Sequence, residues 1–264
     1  AGITLVADPL AVFMVVMTQV VISGGILYAT GTIEKVAQYP AFYPVFLGLA
    51  TGMTGAFLTG DLFNLFVFAE LIVISGAVLT GMADDKYGVE ASYKYLLIST
   101  VGSVFFLLAV GSLYAVYGTL NLAGLAQAIR QNPNDPLALA GLAFLTATFL
   151  VKSAGFAFHF WQPDFHTAAP TPVHAVLSSV VVKVGIYAFF RITLMLFPDF
   201  ALLNPLLVLL GVIGVVYGGL GATGTYSVKR MLAYSTLGKL GFIMIGFGWG
   251  TPLALAGALV FSVN

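Results

Sequence analysis

Long apolar runs separated by short polar turns occupy almost the whole chain. Eight of these runs approach the roughly 20 residues that an α-helix needs to cross a bilayer. The eight predicted spans cover residues 9–29, 41–58, 62–82, 89–117, 137–166, 173–196, 205–223 and 231–249, and a partial ninth begins at residue 252. This pattern predicts an all-α polytopic membrane protein.

Two segments depart from the plain spanning pattern. Residues 121–131 (NLAGLAQAIRQ) are amphipathic and are predicted to lie along the membrane interface. The fifth span is too long and too polar for one plain helix, because Lys152, Ser153 and Gly155 interrupt it. We therefore predict a helix broken near residues 152–156. Such a break is tolerated at membrane depth only where it faces protein or a water-filled cavity.

Composition supports the membrane class and excludes several others. Of the 264 residues, 60% are hydrophobic and 8% are charged, whereas soluble domains carry roughly 25% charged residues. Continuous apolar runs also disfavour an outer-membrane barrel, whose strands alternate apolar and polar residues. The formal net charge of zero gives no indication of nucleic-acid binding. Because the chain has no cysteine, it has no thiol ligands for an iron–sulfur cluster.

Lysine and arginine residues favour one side of the predicted membrane. One side carries Lys35, Lys86, Lys94, Lys229 and Arg230 in loops or near span ends, and the other carries Arg130 and Arg191. Cytoplasmic loops carry the excess of positive charge in membrane proteins. We therefore predict a multi-pass protein of the plasma membrane with Ala1 outside. The last run, from Pro252 to Asn264, is too short to span, so the sequence is expected to be a fragment.

Most charged residues fall in loops or near the ends of the predicted spans, but four lie well inside a span: Glu70, Lys152, Lys183 and Lys239. Glu70 lies nine residues after Asp61, which is about 14 Å along a helix and close to mid-bilayer. Ionisable side chains at that depth are costly and indicate function by default. A lysine near a glutamate can switch between charged and neutral forms, as a proton relay requires. The alternative is a static Glu70–Lys152 ion pair that fixes helix packing.

The proline-rich part of the chain carries three histidines, His159, His166 and His174. Their spacing of seven and eight residues, interrupted by prolines, is not typical of a metal site, so no metal is expected. Each is a candidate accessory relay, because histidine titrates near neutral pH, or else a hydrogen-bonded residue at a helix end. Lys239 and Asp61 are further candidate accessories, and Asp61 is also expected to cap the helix that follows it.

Residues 59–70 (TGDLFNLFVFAE), 152–191 and 228–241 (VKRMLAYSTLGKLG) carry a family resemblance. They resemble the antiporter-like subunits of Mrp-type Na⁺/H⁺ antiporters, complex I and membrane-bound hydrogenases, and the first segment is most similar to the Mrp D-type subunit. The resemblance implies inverted five-helix repeats, each with a discontinuous helix. The first repeat would cover about 41–196, and an incomplete second repeat would start at about 204.

The resemblance also implies a proton path. Glu70 would tune Lys152 at the break, and protons would pass through Lys183 along a central polar axis toward a lysine or glutamate on a later helix that this sequence lacks. Lys239 departs from the family, in which many members carry a glutamine. No cofactor is implied. The implied partners are other membrane subunits of a hetero-oligomer and the lipid bilayer, with H⁺ and, in an antiporter, Na⁺ as transported ions.

Three functions are compatible with these residues. The leading hypothesis is an ion-translocating subunit of a multisubunit Na⁺/H⁺ antiporter, with no redox chemistry of its own. The second is a proton-pumping membrane subunit of a complex I-like NADH:quinone oxidoreductase or membrane-bound hydrogenase. The third, a standalone transporter of an organic solute, is disfavoured because its site would need cavity-lining groups for the substrate rather than a row of lysines.

Overall fold

The computed structural model describes residues 2–32, 34–83, 85–197 and 203–263, except for the side chain of Leu194. Its helices are α1 (Pro9–Gly31), a 3-10 helix (Lys35–Gln38), α2 (Phe42–Leu58), α3 (Leu62–Gly81), α4 (Lys86–Tyr117), α5 (Leu122–Gln131), α6 (Pro136–Lys152), α7 (Trp161–Ala168), α8 (Thr171–Val176), a π segment (Leu177–Val181), α9 (Val182–Leu196), α10 (Leu203–Thr223), α11 (Val228–Trp249) and α12 (Pro252–Phe261). The predictions that concern Ala1 and Asn264 lie outside the described residues.

Six helical stretches of the described chain are long and apolar enough to cross a membrane. They are α1, α3, α4, the continuous helix Thr171–Thr193, α10 and α11, while α2, α6 and α12 are shorter apolar helices. The chain is therefore a multi-pass, all-helical membrane protein, which confirms the predicted fold class. The division into inverted repeats at residues 41–196 and from 204 stays a prediction.

Short polar side chains fix where the spans begin. Asp61 caps α3 as predicted, because its carboxylate accepts the Asn64 amide N–H at 2.9 Å. Asp85 and Ser227 do the same for α4 and α11, and both helices begin three residues earlier than the apolar pattern indicates. Three cations assigned to loops therefore lie in the first turns of these two helices: Lys86, Lys229 and Arg230.

One end of the bundle, which we name the Asp8 end, is tied together by backbone and side-chain hydrogen bonds. The Gly60 N–H donates to the Thr4 carbonyl at 2.9 Å, and the Leu122 N–H donates to the Gly60 carbonyl at 2.8 Å. Arg191 near the end of α9 pairs with Asp8 before α1. The hydrogen bond from Arg191 holds the pKa of the Asp8 carboxyl below its ordinary value.

The opposite end, which we name the Asp164 end, is held by charged side chains. Asp164 on α7 lies 3.0 Å from Arg230 Nη1 on α11 and 3.8 Å from Lys94 Nζ on α4. Lys229 Nζ donates to the Ala169 carbonyl at 2.8 Å. These contacts join the helix after the break to both α4 and α11.

Glycines allow α10 and α11 to pack closely. A Cβ atom on Gly218 would lie 2.6 Å from the Gly238 nitrogen, and one on Gly241 would lie 2.5 Å from the Gly211 carbonyl oxygen. Gly219 takes no part in this contact, because a Cβ there would meet nothing within 4 Å in the described structure.

The broken helix is present and lies where the sequence placed it. α6 ends at Lys152, residues 153–160 are turns, and α7 runs from Trp161 to Ala168. The next predicted span is one continuous helical stretch, but residues 177–181 form a π segment that the sequence analysis did not predict. The two lysines of interest, Lys152 and Lys183, therefore each lie beside an irregular turn.

Candidate functional site

A Schellman motif ends α6 directly after Lys152. Ala154 adopts a left-handed conformation with φ 55°, its N–H donates to the Val151 carbonyl at 3.2 Å, and the Gly155 N–H donates to the Leu150 carbonyl at 2.8 Å. Lys152 is the last helical residue. Its ammonium group therefore lies in the final turn, where the partial negative charge of a helix C-terminus favours a cation.

Packing holds this break in place. The Trp161 indole N–H donates to the Val151 carbonyl at 3.2 Å, and the Ser153 hydroxyl donates to the Phe149 carbonyl at 2.6 Å. α9 contacts the break at Gly185, where a Cβ atom would lie 2.9 Å from the Ser153 nitrogen. The position of Lys152 is therefore fixed by α7 and α9 as well as by its own helix.

Glu70, Ser103 and Lys152 form a polar cluster between α3, α4 and α6. Lys152 Nζ lies 2.9 Å from Glu70 Oε1 and 3.0 Å from Ser103 Oγ, and Ser103 Oγ lies 2.5 Å from the same carboxylate oxygen. The side chains of Lys152 and Glu70 are 10% and 29% exposed. The absence of a side chain at Gly102 lets α6 pack closely against α4 at this point, because a Cβ atom there would lie 3.1 Å from Val151 and 3.7 Å from Lys152 Cε.

The Ser103 hydroxyl can donate its proton to either of two acceptors. The same hydroxyl accepts from the lysine and has one proton to donate, for which the Glu70 carboxylate at 2.5 Å and the Ser99 carbonyl at 2.9 Å are both within reach. The hydroxyl can keep a hydrogen bond when Glu70 changes its protonation state. The cluster can therefore accommodate more than one arrangement of protons.

A cavity of about 40 Å³ lies beside Lys152, on the side of the π segment. Its polar lining comes from Lys152 and Tyr95, while Val181, Val184 and other apolar side chains line the rest. Space for a water molecule requires roughly 10–15 Å³ on the same kind of measure. The cavity is therefore large enough for water next to the ammonium group.

Lys183 faces a different and larger cavity, of about 370 Å³. Lys239, His174 and Thr236 also line it, and no lining residue is shared with the cavity beside Lys152. Lys183 is 8% exposed, and among the described residues it makes no hydrogen bond or ion pair. Val180 and Val181 of the π segment line the larger and the smaller cavity respectively, so this segment separates the two lysines.

The histidines have separate surroundings. His174 lines the Lys183 cavity, and its Nδ1 lies 2.6 Å from the His166 carbonyl. His166 is fully buried, with its ring 5.9 Å from the His174 ring. His159 instead contacts the rings of Phe156 and Tyr217, with centroid distances of 5.2 and 4.6 Å. Within the described parts of the chain, no three His, Asp or Glu side chains are placed to hold a metal ion.

Comparison with known proteins identifies the family. The sequence profile of the transmembrane region of NADH:quinone oxidoreductase/Mrp antiporter proteins matches residues 59–263. The chain belongs to this family. The resemblance stated from residues 59–70, 152–191 and 228–241 is thereby confirmed.

Curated members of the family cover both antiporters and oxidoreductases. The chain is 35% identical to the D-type component of the Na⁺/H⁺ antiporter of Alkalihalophilus pseudofirmus, over 98% of this chain and 53% of that protein. It is also 35% identical to the N-type component of the NADH-quinone oxidoreductase of Desulforudis audaxviator, over 98% of this chain and 52% of that protein. The chain thus spans about half the length of the curated relatives it matches.

Two solved membrane complexes contain a similar chain. The membrane-bound sulfane sulfur reductase, an archaeal respiratory complex, matches with a TM-score of 0.90 and 34% identity, over 100% of this chain and 54% of that chain. The Mrp complex from Dietzia sp. DQ12-45-1b matches with a TM-score of 0.81 and 27% identity, over 95% of this chain and 48% of that chain. The fold described above is therefore that of a subunit found in multisubunit membrane complexes.

The predicted site residues of this family member lie in separate places in the structure. Glu70 and Lys152 are within hydrogen-bond distance, whereas Lys183, Lys239 and His174 share the separate cavity described above. Asp61 caps α3 at the Asp8 end. The relay roles of all these residues stay predictions.

Sequence reasoning missed two polar residues. Ser103 bridges Glu70 and Lys152, and Gln162 on α7 is fully buried. Ser103 could have been noticed, because Ser99 and Ser103 are four residues apart in an apolar span and so share a helix face. Gln162 gave no comparable signal, since it stands between Trp161 and Pro163 in a stretch that reads as a turn.

Proposed function

We propose that this chain is an ion-translocating membrane subunit of a multisubunit Na⁺/H⁺ antiporter, and that it moves protons through Glu70, Lys152 and Lys183. The Glu70–Ser103–Lys152 cluster at the broken helix is the observation that carries the proposal. The similarity to the D-type component of a Na⁺/H⁺ antiporter supports the antiporter assignment.

The cluster has the chemistry that a relay requires. Burial penalises a charged lysine, while a neighbouring carboxylate favours it, so a change at Glu70 alters the balance at Lys152. Ser103 can hold either arrangement of protons, since it has two acceptors within reach. A static ion pair would need neither the second acceptor nor a cavity large enough for water beside the lysine.

The proposed path continues from Lys152 to Lys183. The smaller cavity extends from Lys152 to Val181 and Val184, which lie in the same continuous helical stretch as Lys183. Lys183 in turn lines the larger cavity, where Lys239 and His174 are candidate accessory residues of the proton relay. Passage between the two cavities requires water or a side-chain movement at the π segment.

Charge distribution supports a membrane orientation with the Asp164 end in the cytoplasm. That end carries Lys35, Lys86, Lys94, Lys229 and Arg230, whereas the Asp8 end carries Arg130 and Arg191. Excess lysine and arginine mark the cytoplasmic side. We therefore propose a plasma-membrane protein with the segment before α1 outside, assembled with other membrane subunits.

The test is ion exchange in everted membrane vesicles that contain the assembled complex. We expect Lys152→Ala and Glu70→Ala each to abolish exchange while the complex still assembles, because each removes one member of the relay. Glu90→Ala is the matched control, since Glu90 pairs with Lys94 at 2.7 Å where both side chains are more than half exposed. Exchange at the wild-type level in both Lys152→Ala and Glu70→Ala would contradict the proposal.

A redox-driven complex is the second candidate function. The TM-score of 0.90 to a chain of an archaeal respiratory complex, and the 35% identity to a component of an NADH-quinone oxidoreductase, favour it. Here the same residues would move protons in response to electron transfer in other subunits. Purification of the complex under mild conditions distinguishes the two, because redox subunits would accompany the chain only in the second case.

A further inference from the structure

The continuous helix Thr171–Thr193, which we name the Lys183 helix, is capped by a residue from a distant part of the chain. The residue before it is Pro170, which provides no side-chain hydrogen bond to the helix. The Thr171 N–H instead donates to Glu34 Oε2 at 3.2 Å, and Glu34 lies 137 residues earlier, in the segment after α1. A carboxylate is favoured at the positive end of a helix. Glu34 therefore stabilises the start of the Lys183 helix.

Asp8, which precedes α1, holds the other end of the same helix. Arg191 Nη1 donates to Asp8 Oδ1 at 3.2 Å, and Arg191 Nη2 pairs with the second carboxylate oxygen. Arg191 Nη1 also donates to the Tyr187 hydroxyl at 2.8 Å, which in turn donates to the Phe57 carbonyl at 2.8 Å. A bidentate pair fixes the direction of a guanidinium group as well as its position. The end of the Lys183 helix is therefore held against both translation and rotation.

α1 connects these two contacts. Its two flanking carboxylates reach opposite ends of the Lys183 helix, so the two helices are antiparallel. They touch near Gly25, where a Cβ atom would lie 3.1 Å from Val176 Cγ2. Met17 and Val21 of α1 also line the cavity that contains Lys183. We name α1 with Asp8 and Glu34 the α1 clamp.

The π segment Leu177–Val181 lies between the two held ends. Thr171 and Arg191 are 20 residues apart, which is about 30 Å along a helix. A π turn contains an additional residue, so a change to regular α-helix would rotate one half of the Lys183 helix against the other by roughly 100°. That rotation requires release of one end. The α1 clamp thus opposes a rotation that would turn Lys183 relative to the residues before the π segment.

We propose that Asp8 and Glu34 are positioning residues of the proton relay, which hold both ends of the Lys183 helix and so keep the π segment and Lys183 in place. Neither carboxylate lines the cavity of Lys152 or that of Lys183, so each acts through the helix and not on a transferred proton. The role in the relay rests on the proposed proton-transfer function, whereas the effect of the α1 clamp on the π segment does not.

Single cysteines in the assembled complex measure the orientation of each half of the helix, because the chain has no cysteine of its own. Ala175, before the π segment, lines the larger cavity, and Val184, after it, lines the smaller one. Ala175→Cys and Val184→Cys are each combined with Asp8→Asn and with Glu34→Ala, and the rate of labelling by N-ethylmaleimide is measured.

Each clamp variant frees one end of the helix, so we expect it to affect the reporter on its own side. Asp8→Asn should change the labelling rate at residue 184 several-fold and leave residue 175 unchanged, and Glu34→Ala should do the reverse. Asparagine still caps α1, so Asp8→Asn removes the charge pair and keeps the helix start. Unchanged labelling at both reporters in both variants would overturn the proposal.

Ion exchange by the assembled complex provides the functional measurement. We expect Asp8→Asn and Glu34→Ala to lower the maximal rate per complex several-fold without changing the Na⁺ concentration that gives half the maximal rate. Glu34→Gln should recover much of the rate, because its amide oxygen can still accept the Thr171 N–H. Less assembled complex with a normal rate per complex would show a role in folding alone and would overturn the positioning role.

Asp135→Asn is the matched control. The Asp135 carboxylate caps α6, where it accepts the N–H groups of Leu137 and Ala138 at 2.9 and 3.1 Å, and it forms no ion pair within the described residues. Asparagine retains this cap. We therefore expect wild-type exchange and labelling, and a loss equal to that in Asp8→Asn would contradict a specific role for the α1 clamp.

These measurements separate the α1 clamp from the general proposal. Unchanged labelling, with exchange lost in Lys152→Ala, would reject the α1 clamp and leave the Glu70–Lys152 relay intact. Changed labelling with normal exchange in both clamp variants would reject the positioning role. Normal exchange in Lys152→Ala, with changed labelling in the clamp variants, would reject the relay and leave the structural effect of the α1 clamp intact.

Discussion

Lys152 and Lys183 both lie beside an irregular turn of helix, but their surroundings are opposite in character. Lys152 ends α6, at the negative end of a helix, with Glu70 and Ser103 at 2.9 and 3.0 Å. Lys183 lies two residues after a π segment inside a continuous helix, in a cavity that it shares with Lys239 and in which the lining contains no carboxylate among the described residues.

The difference shows two ways of placing a lysine in a membrane. At Lys152, compensating charge and hydrogen bonds offset the cost of burial, so the charged form is supported by its neighbours. At Lys183, no acidic partner is present among the described residues, and the lysine instead lines a cavity of about 370 Å³ together with His174 and Lys239. Removal of a lysine of the first kind alone is therefore expected to destabilise the fold, because it leaves a carboxylate unpaired, whereas removal of one of the second kind is not.

The first prediction applies to Lys152. Lys152→Met leaves the Glu70 carboxylate without its cation at mid-membrane, so we expect the free energy of unfolding to fall by about 3 kcal/mol. The double variant Glu70→Leu/Lys152→Met should return to within about 1 kcal/mol of the wild type, because it removes both charges together. Ser103 keeps the Ser99 carbonyl as its acceptor in that variant. Denaturant unfolding of the purified complex in detergent measures all of these values.

A double variant as unstable as Lys152→Met would contradict this account. It would show that the loss arises from packing around the methionine rather than from the unpaired carboxylate.

The main features of the Lys152 region could be predicted from the sequence. Apolar length located the spans, Asp61 located the start of α3, and the Ser153–Gly155 stretch located the break. The pairing of Glu70 with Lys152 was implied by the family resemblance, and the structure brings the two side chains within 2.9 Å. Hydrophobic pattern and capping residues are local signals, which is why these features could be predicted.

The Lys183 region could be predicted only in part. The π segment reads LSSVV, and no glycine or proline in it signals an irregular helix. Its extra residue per turn depends on packing against other helices rather than on local sequence. The separation of the two cavities by Val180 and Val181, and the burial of Gln162, likewise depend on helices distant in the chain.

The second prediction applies to Lys183. Lys183→Met removes a buried cation that has no acidic partner among the described residues, so we expect no loss of stability and a gain of up to about 1 kcal/mol. The same unfolding measurement in detergent provides the value, with Lys152→Met as the comparison. A loss of more than about 1 kcal/mol would contradict the contrast between the two lysines, since it would reveal a stabilising partner for Lys183.

The third and smallest effect concerns the backbone of the break itself. Ala157 is exposed and has φ 83°, a conformation that costs an L-residue about 1–2 kcal/mol. Glycine removes that strain, but its greater freedom in the unfolded chain destabilises the folded state by about 0.5–1 kcal/mol. We therefore expect Ala157→Gly to raise the free energy of unfolding by about 0.5 kcal/mol. Ala154→Gly is the matched control. Its φ of 55° is also left-handed, but its methyl group is fully buried, so relief of strain and lost packing nearly cancel. Melting temperatures of the two variants decide the matter: a lower value for Ala157→Gly would show that the turn after Lys152 has a conformation that alanine adopts without strain.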